Sequence, residues 1–197
     1  MKTFAELKTS AKSQIKGKVG KFFVTSLIVF AIVAISGFLP FVGSIASSVL
    51  GAIFTLGITF VTLKIAKEGD FSIGDVFYGF EDWWTAVKAH FFINLFVCLW
   101  SMLLIIPGII KAYAYSMTFC ILAENKGMPV LEAMTLSRNM MNGHKMEFFL
   151  LFLSFIGWSL LVFVTLGIAG IWVYPYISVT YVNFYLSVKE DYMAKLA

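Results

Sequence analysis

The stretch Phe22-Phe-Val-Thr-Ser-Leu-Ile-Val-Phe-Ala-Ile-Val-Ala-Ile-Ser-Gly-Phe-Leu39 decides the fold class. It carries no charge. As a helix rising ~1.5 Å per residue it reaches about 27 Å, close to the ~30 Å hydrocarbon core of a bilayer. Five further apolar runs follow, at Phe41–Leu63, Phe91–Ile106, Gly108–Ala123, Phe148–Leu166 and Ala169–Val188. The third and fourth are short. They either cross a locally thinned bilayer or form a re-entrant hairpin, and crossing is the preferred reading. The whole composition agrees. Of 197 residues, 60% are apolar and 13% charged, where a soluble domain has roughly 45–50% and 25%. Mean hydropathy is +0.89. A soluble domain of this size leaves about a third of its surface wet, so a water-soluble globule is excluded. Such apolarity also excludes a disordered chain.

Consecutive runs are joined by short breaks: Gly37-Phe-Leu-Pro40, Pro107-Gly108 and Leu166-Gly-Ile-Ala-Gly170. Proline and glycine end helices and allow a tight reversal. The six runs therefore read as three helical hairpins, within a single membrane domain over residues 1–197. The remaining connections, 64–90 and 124–147, are long and charged. No cleavable signal peptide is expected, because no small-residue cleavage site follows the first run.

The net charge of +4 matters less than its placement. Fourteen of the fifteen basic residues fall in the head, the two long connections and the tail. The positive-inside rule puts those segments, and both termini, in the cytoplasm. Lys111 alone lies near the far side, close enough to snorkel outward. Lysines beside spans make nucleic acid a poor partner.

An acidic residue precedes a Phe-Phe pair by sixteen positions three times: Glu6 before Phe22-Phe23, Asp75 before Phe91-Phe92, and Glu132 before Phe148-Phe149. The first and third copies share Gly17 and Gly143, five residues before the pair. Lys12 in the first matches Arg138 in the third. The chain reads as a pseudo-threefold repeat, about 1–66, 67–127 and 128–197. Each unit is a cytoplasmic amphipathic helix followed by a transmembrane hairpin. In the first leader, Phe4, Leu7, Ala11, Ile15 and Val19 share one face of a helix. Lys8, Lys12 and Lys16 line another. These lysines are the candidate contacts to membrane lipids, on an anionic inner leaflet that contributes ~1 kcal/mol per lysine.

The third unit carries a family resemblance. Leu131-Glu-Ala-Met134, Met140-Met-Asn-Gly143-His-Lys145, Phe148-Phe-Leu-Leu151, Leu153-Ser-Phe-Ile-Gly157-Trp158, Thr165-Leu-Gly-Ile168, Pro175-Tyr176 and Phe184-Tyr185 resemble the domain-of-unknown-function family 975. Pro107-Gly-Ile-Ile110, Tyr115-Ser-Met117 and the head Glu6-Leu-Lys8 with Lys16-Gly17 fit the same pattern. The resemblance spans nearly the whole chain. It implies a polytopic protein of the bacterial cytoplasmic membrane and transfers no catalytic residue.

Active-site constellations are nearly absent. No acidic residue falls inside the six runs, which argues against a relay through buried carboxylates. Cys98 and Cys120 have no metal-ligand neighbours and make no disulfide framework. His90 and His144 precede Phe-Phe pairs; interfacial placement is the plain reading, a pH-sensing pair the alternative. Gly74-Asp-Val-Phe-Tyr-Gly79 lacks the Lys-Ser/Thr of a phosphate loop. Asp75, Glu81, Asp82, Glu132, Arg138, His144 and Lys145 read as the solvated face of surface helices rather than a headgroup-processing site. Gly43, Ser47, Gly51, Thr55 and Thr59 recur every four residues, as a packing face or a pore lining. Tyr174, Ser178, Tyr181 and Tyr185 share one face of the sixth run. With Tyr113 and Ser116 on the fourth run, they are the candidate lining of a polar-aromatic cavity. Interhelical hydrogen bonding is the competing reading.

The expected fold is thus all-α, with six transmembrane helices arranged as three hairpins. The expected function is non-enzymatic, without catalytic residues, metal or cofactor: handling or transport of a lipid or amphipathic small molecule. The alternative is an assembly or regulatory protein that docks partners through its cytoplasmic amphipathic helices. The sequence names no substrate or protein partner and sets no oligomeric state.

Overall fold

A computed structural model describes residues 3–38 and 43–196. All regular elements among them are helical. In chain order they are α1 (Phe4–Ile15), α2 (Val19–Gly37), α3 (Gly43–Lys67), a 3-10 turn (Ile73–Phe77), α4 (Tyr78–Glu81), α5 (Trp83–Leu103), α6 (Ile105–Ala114), α7 (Thr118–Glu124), α8 (Val130–Met140), α9 (Lys145–Leu153), α10 (Ile156–Val164) and α11 (Gly170–Leu196).

Helix α1 starts at a capping box. The Thr3 hydroxyl accepts from the Glu6 amide at 3.3 Å, and the Glu6 carboxylate accepts from the Thr3 amide at 2.7 Å, which satisfies two amides left open at a helix start. The leader then turns into α2 at Gly17, whose φ is +80°, and α8 turns into α9 at Gly143, with φ +89°. Side chains rarely adopt that region. The matched glycines of the first and third copies are therefore the elbows between leader and span. The second copy has Ala86 at the equivalent place, and α5 runs straight through it. Its bend has moved upstream to Asp82, at φ −132° and ψ 45°. Its leader is not one amphipathic helix but the 3-10 turn followed by the four-residue α4.

The Phe-Phe pairs follow the same division. Phe22 and Phe148 are buried, 1% and 3% exposed, whereas Phe91 is 59% exposed. The first ring of the pair points inward only where a glycine elbow precedes it.

Burial is unevenly distributed. The core comprises Leu7, Ala11 and Ile15 of α1, the stretch Ala52–Ile65 of α3, most of α7, the inner face of α8, and Val173–Val188 of α11. Helices α2, α5, α6, α9 and α10 instead expose Phe30, Leu99, Ile106, Leu153, Phe163 and similar residues. An exposed apolar surface of this extent is compatible with contact to lipid. Among the described residues, five stretches are long and apolar enough to cross a bilayer: Val19–Gly37, Gly43–Lys67, Trp83–Met102, Ile105–Glu124 and Lys145–Val164. They are compatible with a multi-pass membrane protein. The sixth apolar run lies in α11, which is not among the five. Its tyrosines, Pro175 and Asn183 dilute its apolarity, and much of it is buried.

Two local expectations change. The second reversal is not at Pro107-Gly108 but at Leu104, extended at φ −159° and ψ 142°. Pro107 sits in the first turn of α6, where its missing N–H is not needed. The first reversal falls partly on residues 39–42, outside the described residues. The small-residue stripe on α3 packs closely at its start, where a methyl group on Gly43 would overlap the backbone carbonyl of Gly37, but not at Gly51, where it would meet nothing within 4 Å. A further close approach is at Gly57, off the stripe, where the backbone carbonyl of Val76 lies directly against the helix. Gly79 meets the carbonyl of Ile53 in the same way. The second leader thus packs backbone-to-backbone on α3.

Candidate amphiphile site around the last helix

Helix α11 organises the site because it touches α1, α2, α3, α8 and α10. Its tyrosine face opens into a cavity of about 220 Å³, lined by Tyr174, Ser178 and Tyr181, by Thr55, Thr59 and Thr62 of α3, and by Phe152. Thr55, Thr59 and Thr62 direct their hydroxyls to carbonyls of their own helix. The wall is therefore aromatic and weakly polar.

The other three residues expected at this cavity are elsewhere. Tyr113 packs edge-on to Phe148, with ring centroids 5.6 Å apart. Ser116 donates its hydroxyl to the Tyr113 carbonyl at 2.8 Å, and its own carbonyl accepts from the Tyr181 hydroxyl. Tyr185 donates to the Glu124 carboxylate at 2.5 Å. Interhelical hydrogen bonds thus engage the hydroxyls of Tyr181 and Tyr185, Tyr113 makes a ring contact, the Ser116 hydroxyl bonds locally, and Tyr174, Ser178 and Tyr181 line the cavity.

The three lysines also divide. Lys8 turns inward, with its ammonium 4.5 Å from the centroid of the Phe155 ring and 3.4 Å from the Ser154 carbonyl. Burial holds it below the usual lysine range. Lys12 and Lys16 point away from the core. They line a groove of about 510 Å³ whose other walls include Trp158, Trp172 and Tyr176. The apolar face of α1 is not left for lipid: Leu7, Ala11 and Ile15 are buried in the protein core. Gln14 pins the helix, accepting from the Asn183 amide at 2.8 Å and donating to the Ala66 carbonyl at 2.9 Å.

One cluster escaped the sequence reading. Glu124, just past the fourth apolar run, has a side chain only 7% exposed. Lys67, Lys189 and the Tyr185 hydroxyl hold it, with Lys189 at 2.5 Å. Lys67 ends α3 and Glu124 ends α7, while Lys189 lies near the end of α11. The cluster therefore ties together α3, α7 and α11. The available signal was an acidic residue closing one descending run and lysines closing the other two.

The surface acids form pairs rather than a site. Asp75 meets Lys64 at 3.0 Å and Glu81 meets Lys126 at 2.6 Å. His144 bridges Glu147 at 2.9 Å and Asp191 at 3.2 Å, joining α9 to α11. His90 lies with Asn94 and Cys98 on a separate groove between α3 and α5. Lys111, expected to snorkel, rests over the Trp100 ring at 4.6 Å. No group of three His, Cys, Asp or Glu is placed to hold a metal ion among the described residues.

A family model described as "Protein of unknown function (DUF975)" matches residues 1–111 and 102–192. The chain belongs to this family. No curated protein and no solved structure matches it. In this family member, the residues that carried the sequence resemblance fall largely on α8–α11 and the Gly17 elbow, and among them Gly17, Trp158 and Tyr176 line the groove of Lys12 and Lys16.

Proposed function

We propose that this protein is a non-enzymatic, six-span membrane protein with cytoplasmic termini, which holds a lipid or another amphipathic small molecule beside α11. Helix α11 is the sixth span, enclosed by the others. The observation that carries the reading is the cavity bounded by Tyr174, Ser178 and Tyr181, which lies on a helix otherwise packed by its neighbours. Its mixture of aromatic rings and hydroxyls suits a molecule with an apolar body and a polar end.

The alternative, docking of partners through the leader helices, has less support. The apolar faces of α1 and α8 are already covered within the chain: Leu7, Ala11 and Ile15 on one, Val130, Ala133 and Met134 on the other.

Native mass spectrometry of the detergent-extracted protein tests the reading. A lipid-sized adduct is expected on the wild type and should be lost or reduced in Ser178→Phe, which fills the cavity. Adducts of equal abundance in both proteins, or none in a folded wild type, would overturn it.

A further inference from the structure

We infer that the groove between the α1–α2 elbow, α10 and α11 is a binding site for an anionic phospholipid, with the phosphate held by Lys12 and Lys16 and an acyl chain lying over Trp158 and Trp172. The inference rests on the membrane reading above but not on the tyrosine cavity, which lies on another face of α11.

The lysines of the head have different engagements. Lys8 is committed to Ser154 and Phe155, Lys18 donates to the Gln14 carbonyl at 3.1 Å, and Lys21 pairs with Asp70 at 3.2 Å. Lys12 and Lys16 make no ion pair or hydrogen bond through their ammonium groups among the described residues. These two unengaged cations stand one helical turn apart on the same face, and both line the same groove. Their position is fixed, because the opposite face of α1 is buried and Gln14 is bonded to α3 and α11.

The rest of the lining identifies the ligand class. Ile15, Val19, Val173 and the aromatic residues give an apolar floor, and the volume of about 510 Å³ lies within the range of ligand sites. Trp158 and Trp172 are exposed, and tryptophan favours the headgroup level of a bilayer. A soluble anion would gain nothing from that floor. No carboxylate lines the groove, so nothing there pairs with the ammonium of a zwitterionic headgroup. Two lysines above an aromatic slot fit a lipid whose headgroup is a net anion.

Brominated lipids quench tryptophan on contact and test this in the whole protein. Trp83, Trp84 and Trp100 are replaced by Phe, leaving Trp158 and Trp172 to emit. The protein is placed in phosphatidylcholine nanodiscs containing a small fraction of brominated phosphatidylglycerol or of brominated phosphatidylcholine. The phosphatidylglycerol should quench at a lower fraction. At roughly fivefold preference per lysine near the surface, the two together give on the order of 30-fold. Lys12→Gln/Lys16→Gln should abolish the difference while leaving quenching by phosphatidylcholine intact, and Lys2→Gln/Lys8→Gln should preserve it. Equal quenching by the two lipids, or a difference that survives the first double variant, would overturn the site. A difference abolished by inorganic phosphate would assign the groove to a soluble anion and also overturn it. If neither brominated lipid quenched these tryptophans, the membrane reading itself would fail.

Discussion

Replacing Glu124 should damage the fold in an order set by its three partners. Tyr185 is 1% exposed, and its hydroxyl donates to Glu124. Removing that acceptor leaves a buried phenol unsatisfied, at a cost of about 1–3 kcal/mol. The two ion pairs contribute less. The side chains of Lys67 and Lys189 are 46% and 39% exposed, so water screens them and each pair is worth about 0–1 kcal/mol. Glu124→Ala should then lose about 1–5 kcal/mol. Glu124→Gln retains an oxygen for Tyr185 and should lose about 1–2 kcal/mol, while Lys67→Met should lose under about 1 kcal/mol.

The assay is unfolding of the detergent-solubilised protein in increasing SDS, followed by tryptophan fluorescence. A double-mutant cycle isolates the hydrogen bond: in a Tyr185→Phe background, Glu124→Ala should cost about 1 kcal/mol less than in the wild type. The reasoning is refuted if Glu124→Ala is no more destabilising than Lys67→Met. It is equally refuted if the cost of Glu124→Ala is the same with and without the Tyr185 hydroxyl.

Three further outcomes are expected. Gly17→Ala, at φ +80°, should cost about 1–2 kcal/mol, whereas Gly20→Ala, inside α2 with open space around it, should gain about 0.5–1 kcal/mol in the same unfolding assay. Gly57→Ala should cost on the order of 1–3 kcal/mol, because its methyl overlaps the Val76 carbonyl, and Gly51→Ala should cost nothing measurable. The hydrogen bond from Lys195, with His144 alongside, holds the Asp191 carboxyl below its usual range. A depressed carboxylate pKa stabilises the fold above the unfolded value of about 4, and that stabilisation is lost as pH falls through the lower folded value. Hydrogen exchange at the end of α11 should therefore quicken on acidification in the wild type, and Asp191→Asn should remove that pH dependence.

The all-helical class and the apolar runs were legible because composition and run length act one residue at a time. The glycine elbows were also legible, since Gly17 and Gly143 stand at matched offsets before buried phenylalanines. The irregular second unit was partly visible as the absence of that glycine: with Ala86 in its place, nothing forces a turn and α5 continues. Other features depend on contacts between distant segments. Periodicity places Lys8, Lys12 and Lys16 together, but only the position of α9–α10 draws Lys8 inward and leaves the other two outside. Likewise, spacing shows that Tyr174, Ser178, Tyr181 and Tyr185 share a face, but not that Tyr185 is taken by a carboxylate at the end of α7. The stripe on α3 was legible only in part, packing closely at Gly43 but not at Gly51, for a related reason. Small residues permit close approach, and whether it occurs depends on the neighbour, which here is the backbone of residues 76–79 against Gly57 and Ile53.

Lipid-facing apolar surface gives little drive for helices to associate, because a neighbouring acyl chain is as apolar as a neighbouring leucine. The polar contacts between elements therefore specify this arrangement, and they sit where the chain is irregular. The fourth apolar run breaks between α6 and α7, which leaves backbone groups open inside the protein. Ser137 of α8 fills that gap, accepting from the Met117 amide at 3.2 Å and donating to the Ala114 carbonyl at 2.8 Å. The third leader thereby fixes the break between α6 and α7, just as Gln14 of the first leader bonds to α11 and Asp75 of the second pairs with Lys64 of α3. Each leader bonds to an element of another unit. The leaders therefore act as fasteners between distant segments of the chain, and the apolar residues Leu7, Ala11 and Ile15 of the first and Val130, Ala133 and Met134 of the third are spent on that role.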